Sequence, residues 1–162
     1  VAKFKKVKFE TQESIGYGPV NVPQLEVQTE GTWFTFGDEA ISALKASRME
    51  PSAALAGMAN LLRQAIPLYV LCDARDFGVA AMVRAPFDQK PTIYVWDRYP
   101  GGTGLARKLF SIDADAMRAA LSMVSECRCA DGCPSCVGAQ LEAGGKSKRA
   151  AALLLRGMLG ER

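Results

Sequence analysis

With 162 residues, 49% of them hydrophobic, the chain is long enough to bury one core, yet it holds no unbroken apolar stretch of the length a membrane span needs. Its 20 basic and 17 acidic residues leave a net charge of only +3, too small to establish a nucleic-acid partner. There is no histidine, which excludes the commonest general base and any His-ligated metal.

In chain order, residues 2–10 are β-rich, and residues 14–19 read as turn chemistry leading into a second β-prone stretch. Residues 20–27 and 32–36 carry the alternation of antiparallel strands. Asp38 is placed to cap a short helix over residues 39–46. Pro51 and Ser52 open a longer helix, in which Leu55, Met58, Ala59, Leu62 and Ile66 recur at helical spacing and predict one buried face. Pro67 is expected to end it, and residues 68–72 are short and apolar, as in a buried strand. Cys72 within that run reads as a small buried hydrophobe. Residues 79–83 and 92–96 read as strands joined by a loop over residues 86–91. Helices follow near 105–110 and 114–125, and a terminal helix over 147–159 places Ala151, Leu154, Leu155 and Met158 on one face. The chain is α+β: a single domain, residues 1–162, with a small, mainly antiparallel sheet and packed helices.

The second of the late helices delivers the chain to Cys127-Arg128-Cys129, followed by Cys133-Pro134-Ser135-Cys136. A CxC three residues before a CxxC brings four soft thiolates within reach of one metal ion, the closed tetrahedral set of structural zinc. Gly132 and Pro134 suit the short turns that such a loop over 127–136 requires. One zinc per chain is therefore expected on Cys127, Cys129, Cys133 and Cys136. A [4Fe–4S] cluster takes the same ligand type, but its usual spacings differ. A thioredoxin-like CxxC on Cys133 and Cys136 leaves Cys127 and Cys129 without a role, and a disulfide framework is poorly matched to an odd cysteine count.

Basic residues concentrate in two places. Lys3, Lys5, Lys6 and Lys8 crowd the start, and Arg128, Lys146, Lys148 and Arg149 lie near the cysteines in sequence. They read as a solvated strand edge and helix start or as a phosphate-contacting surface, with Lys146, Lys148 and Arg149 the candidate nucleic-acid contacts. The loop Tyr99-Pro100-Gly101-Gly102-Thr103-Gly104 lies between a strand and a helix, where backbone N–H groups can hold an anion. Tyr99, Gly101, Gly102 and Gly104 are its candidate anion or domain contacts. The glycines equally serve only to let the chain turn tightly. A polar cluster of Asp73, Arg75 and Asp76 with Asp97 is also expected, structural rather than catalytic. Three strings invite over-reading. Gly144-Gly145-Lys146-Ser147 lacks the first glycine of a P-loop, Asp38-Glu39-Ala40 lacks the strand that presents a helicase acidic motif, and Asp76-Phe77-Gly78 has no kinase companions.

The series Phe4 to Phe9, Ile15-Gly16-Tyr17-Gly18, Pro67 to Asp73, Tyr99-Pro100-Gly101-Gly102-Thr103-Gly104-Leu105 and CxCxxxCPSC resembles the C-terminal zinc-binding domain (DUF1998, or MZB, type) of mitomycin-repair-factor-like superfamily 2 DNA helicases. The resemblance implies zinc on the four cysteines and an accessory domain following two motor domains of an ATP-dependent 3′-to-5′ helicase in DNA repair. Its partners would be those motor domains in cis and, through them, DNA, in the cytoplasm and away from any membrane. ATP would bind only in the motor domains, since this stretch has no Walker A motif and is not itself an enzyme. The start at Val1, without methionine, fits a fragment of a larger chain. A free-standing interaction or phage-defence component sharing the domain and a CxxC thiol oxidoreductase are the alternatives.

Overall fold

The computed structural model of the chain describes residues 3–9, 11, 13–19, 26–138 and 146–161. Strand β1 (Lys3–Val7) pairs antiparallel with β2 (Ser14–Pro19) in a two-stranded hairpin, with a register shift between Lys6 and Val7. Residues 14–19 are thus a strand and not the turn expected from their glycines. Tyr17 and Ile15 supply β-prone side chains that the pairing can use. The strand expected over residues 20–27 lies largely outside the described residues, and Glu26 and Val27 have no regular structure.

Strands β3 (Gly31–Thr35), β4 (Phe77–Met82) and β5 (Thr92–Asp97) form a second antiparallel sheet in the order β3-β5-β4. Strand alternation divides it into two faces. Phe34, Phe77, Val79, Ile93 and Val95 are buried on the face that joins the core. Trp33 pairs with Tyr94, and Gly78 with Trp96, on the other face.

The centre is α2 (Pro51–Val70), which packs against α4 (Asp113–Glu126), α5 (Ser147–Leu159) and β4. The expected face is buried, and Ala54, Gly57, Leu61 and Ala65 are buried as well. A helix that is apolar around most of its circumference belongs in the middle of a fold. Truncating one of its fully buried leucines, such as Leu62, should cost about 2–5 kcal/mol. Helices α1 (Asp38–Ala46) and α3 (Leu105–Ser111) complete the architecture.

Four expectations need correction. Pro67 does not end α2, which runs on to Val70 and stops at Leu71 in a left-handed conformation (φ 56°, ψ 48°), its N–H donating to Pro67 O. A proline forfeits one helical hydrogen bond, and the packed length upstream outweighs that loss in a final turn. Residues 68–72 are therefore no buried strand: Leu68 is 66% exposed and Leu71 91%, while Cys72 is half-buried against the core. Asp38 is the first residue of α1, with Gly37 at the N-cap position. Met158 lies exposed at the end of α5, although Ala151, Leu154 and Leu155 are buried as expected.

Candidate metal centre

Helix α4 ends at Glu126, and Cys127 leaves it in an extended conformation (φ −64°, ψ 125°), turning the CxC away from the helix axis. The CPSC segment then folds into a tight knuckle. Cys136 N and Gly138 N both donate to Cys133 O, and Cys133 N donates to Cys136 Sγ at 3.2 Å. The four sulfurs lie within 4.8 Å of one another. Successive pairs are closer: Cys127 to Cys129 3.4 Å, Cys127 to Cys133 3.6 Å, Cys129 to Cys136 and Cys133 to Cys136 3.5 Å. A tetrahedron with Zn–S bonds of about 2.3 Å has S···S edges of about 3.8 Å, so the cluster is the size of a zinc cage.

Charge points the same way. The Cys127 thiol is drawn down to about 7, chiefly by the N–H of Cys129 and then by neighbouring sulfurs. Burial, then the adjacent sulfurs, pushes Cys129 up to about 12, and hydrogen bonds to Cys136 and Cys127 raise Cys133. Thiols this close resist carrying several negative charges together, and a divalent cation is the partner that suits such a donor set.

Two helices hold the cage, one before and one after the cysteines in the chain. From α2, Asn60 Nδ2 donates to Pro134 O at 3.2 Å and to Cys136 O at 2.6 Å, and Gln64 Nε2 to Pro134 O at 3.2 Å. One turn earlier, Gly57 lets the knuckle approach: a Cβ there would stand 3.0 Å from Val137 Cβ. From α5, Lys148 Nζ donates to Cys127 O, and to Cys129 O at 2.7 Å. The half-buried Lys148 thus braces the CxC, while Lys146 and Arg149 beside it are exposed. Residues 144 and 145 of the P-loop-like string lie outside the described residues. Asn60 and Gln64 were not singled out in the sequence, because an amide on a helix carries no spacing signature.

The loop of Tyr99, Gly101, Gly102 and Gly104 closes on an internal anion. The fully buried Asp97 carboxylate accepts from Thr103 N at 2.5 Å, Thr103 Oγ1 at 3.0 Å, Leu105 N at 3.2 Å and Ala106 N at 2.8 Å. Burial acts to raise this carboxyl, but the bonds from Thr103, Ala106 and Leu105 outweigh it and leave its pKa below the ordinary 3.8. Gly101 N donates to Gln28 O, and Tyr99 Oη to Asp76 Oδ1 at 3.1 Å. Asp73, Arg75 and Asp76 do cluster, with Arg75 Nε donating to Asp73 at 3.2 Å and Asp73 N to Asp76 at 2.9 Å. Asp97, by contrast, directs its carboxylate to Thr103 and the start of α3.

The MrfA Zn-binding domain family matches residues 58–137, from within α2 to the end of the knuckle. The ATP-dependent helicase YprA of Bacillus subtilis is 38% identical over 141 residues, which cover 86% of this chain and 18% of that helicase. A protein of Methanocaldococcus jannaschii is 32% identical over 74 residues, 44% of this chain and 66% of its own length. The crystal structure of the DUF1998 helicase MrfA bound to DNA superimposes with a TM-score of 0.78 at 35% identity, over 97% of this chain and 20% of that one. The chain spans about a fifth of either helicase. Among the described residues no helix is long and apolar enough to cross a membrane.

Proposed function

Because residues 58–137 are an MrfA-type zinc-binding domain, we propose that the chain is the zinc-carrying accessory unit of an ATP-dependent DNA helicase that works in repair in the cytoplasm. The observation that carries this reading is the cage of Cys127, Cys129, Cys133 and Cys136, four sulfurs within 4.8 Å of one another. One zinc ion per chain, held by these thiolates, has a closed coordination sphere, so it supplies folding energy and no open site for chemistry. The chain's own residues do the rest. Asn60, Gln64 and Lys148 fix the carbonyls of the loop, which makes the cage a tie between α2, α4 and α5. Such a rigid unit is suited to bracing motor domains in cis, with ATP bound there and not here. Lys146 and Arg149, exposed next to the braced segment, are the candidate contacts to the DNA backbone, and Lys148 serves them by fixing the start of α5. Tyr99, Gly101, Gly102 and Gly104, shaped around Asp97, form a candidate contact loop for the motor.

The test is elemental analysis of the purified chain together with the same analysis of Cys133→Ser. One zinc per chain in the parent, lost with cooperative folding in the variant, is expected. Iron with visible absorption, or a folded metal-free variant, would overturn the reading. A second reading, a free-standing interaction module, draws on the M. jannaschii relative, of whose length the match spans 66%. Helicase motor motifs in the coding sequence next to this segment would decide against it.

A further inference from the structure

Both tryptophans of the chain lie on the face of the three-stranded sheet opposite the core. Trp33 is 62% exposed and stands directly across from Tyr94. Trp96 lies flat: a Cβ on Gly78, its partner on β4, would fall 2.3 Å from Cε2 and Cζ2 of the indole. The missing side chain at Gly78 is what lets the half-buried ring lie across the strand. Phe87, 94% exposed, comes over from the β4–β5 loop. Trp33 lines three hollows. One of about 520 Å³ reaches Arg107 and Phe110, one of about 220 Å³ lies against Phe87 and Tyr94, and one of about 400 Å³ runs on to Trp96.

Cations frame this aromatic surface. Arg84 follows β4, Lys90 precedes β5 and Arg98 follows it, so all three lie just beyond the ends of the strands that carry Met82, Tyr94 and Trp96. Arg98 N donates to Asp76 O, so the ladder continues to that residue. All three side chains are exposed, and none has a carboxylate partner among the described residues. Because β4 and β5 are antiparallel, Arg84 and Lys90 sit at one end of the rings and Arg98 at the other. The carboxylates lining the hollows are Glu30, paired with Arg107, and Asp88, which accepts from Lys90 N at 3.0 Å.

We propose that this face is a stacking platform for single-stranded nucleic acid, with bases seated on Trp33, Tyr94 and Trp96 and flanking phosphates met by Arg84, Lys90 and Arg98. An exposed ring beside two half-buried ones, flanked beyond both strand ends by exposed cations, matches alternating bases and phosphates. Only an unpaired strand can offer its base faces. The inference rests on the DNA-helicase reading for the class of polymer.

Both intrinsic fluorophores of this type are on the platform, so the zinc-loaded chain reports on it directly. The experiment titrates it with labelled oligothymidylate of about 20 nucleotides, following tryptophan emission and label anisotropy together. Saturable quenching is expected, with little from a duplex of equal length. Trp33→Ala should weaken binding at least about fivefold, Trp33→Phe should recover most of it, and Arg98→Gln should weaken it while flattening the salt dependence. Unchanged melting of each variant shows that the fold persists. Binding without quenching that Trp33→Ala leaves intact would overturn the proposal. So would absence of binding by a fully zinc-loaded chain, including the case of a dimer that Trp33→Ala dissociates. Low zinc content would instead strike the accessory-domain reading, so the two failures are separable.

Discussion

The cysteine loop at 127–138 and the loop at 97–106 solve one problem with opposite charges. Each is a short irregular segment with little apolar surface of its own, and each is held by gathering donors around one centre. At 127–138 four sulfurs converge on the place of a cation. At 97–106 three N–H groups and a hydroxyl converge on the Asp97 carboxylate. The first borrows its charge from outside the chain, and the second carries it on a neighbouring strand. Metal availability should therefore control one loop, and pH the other.

The largest effect should come from removing the borrowed charge. Chelation, or Cys127→Ser in place of a ligand, is expected to abolish cooperative thermal unfolding; a chelated chain that still melts sharply at an unchanged temperature would erase the contrast. Next comes Asp97→Ala, which strands buried donors and should cost about 3 kcal/mol, read as a lower denaturant midpoint. Asp97 also sets a pH window. Its folded pKa is depressed, so its stabilisation is complete above the unfolded value of about 4 and is lost as pH falls through the folded one. The parent should lose stability on acidification below about pH 4 more steeply than Asp97→Asn does, and parallel curves would argue against the carboxylate's role.

Bracing residues should sharpen the comparison with smaller changes. Asn60→Ala and Lys148→Met remove the hydrogen bonds to the knuckle and the CxC, and each should weaken zinc retention about 10- to 100-fold in competition with a chromogenic chelator. Neither should alter the acid limb set by Asp97. Smallest of all is the exposed Lys8–Glu13 pair at 3.1 Å in the hairpin, where Lys8→Ala should change stability by about 0.5 kcal/mol or less. A larger shift on calorimetry would mean that the hairpin is coupled to the core.

The same pair of loops explains how much could be read in advance. Cysteine is chemically distinctive, and its four copies lie within ten residues, so ligand type and spacing alone located the cage. The Asp97 centre uses backbone N–H groups, which every residue has, and its acceptor belongs to a different element, so the glycine loop displayed a capacity for anions without revealing that the chain fills it. Asn60 and Lys148 were opaque for a related reason. They act on carbonyls 74 and 21 residues away, and no local pattern encodes that distance.

Helices α1, α4 and α5 and strands β3, β4 and β5 were legible from hydrophobic periodicity, since amphipathic period and strand alternation are local. Residues 14–19 and 68–72 were not, because their state depends on β-pairing in one case and on the packed length of α2 in the other. By itself the sequence determined the α+β class, one buried face of the long helix and a four-thiolate cluster, all of which follow from residue type and short spacing. Only the tertiary structure decided which groups brace that cluster, which carboxylate the glycine loop encloses and that both tryptophans share one open sheet face. Those outcomes depend on strand register and helix packing, which bring together residues that the sequence keeps far apart.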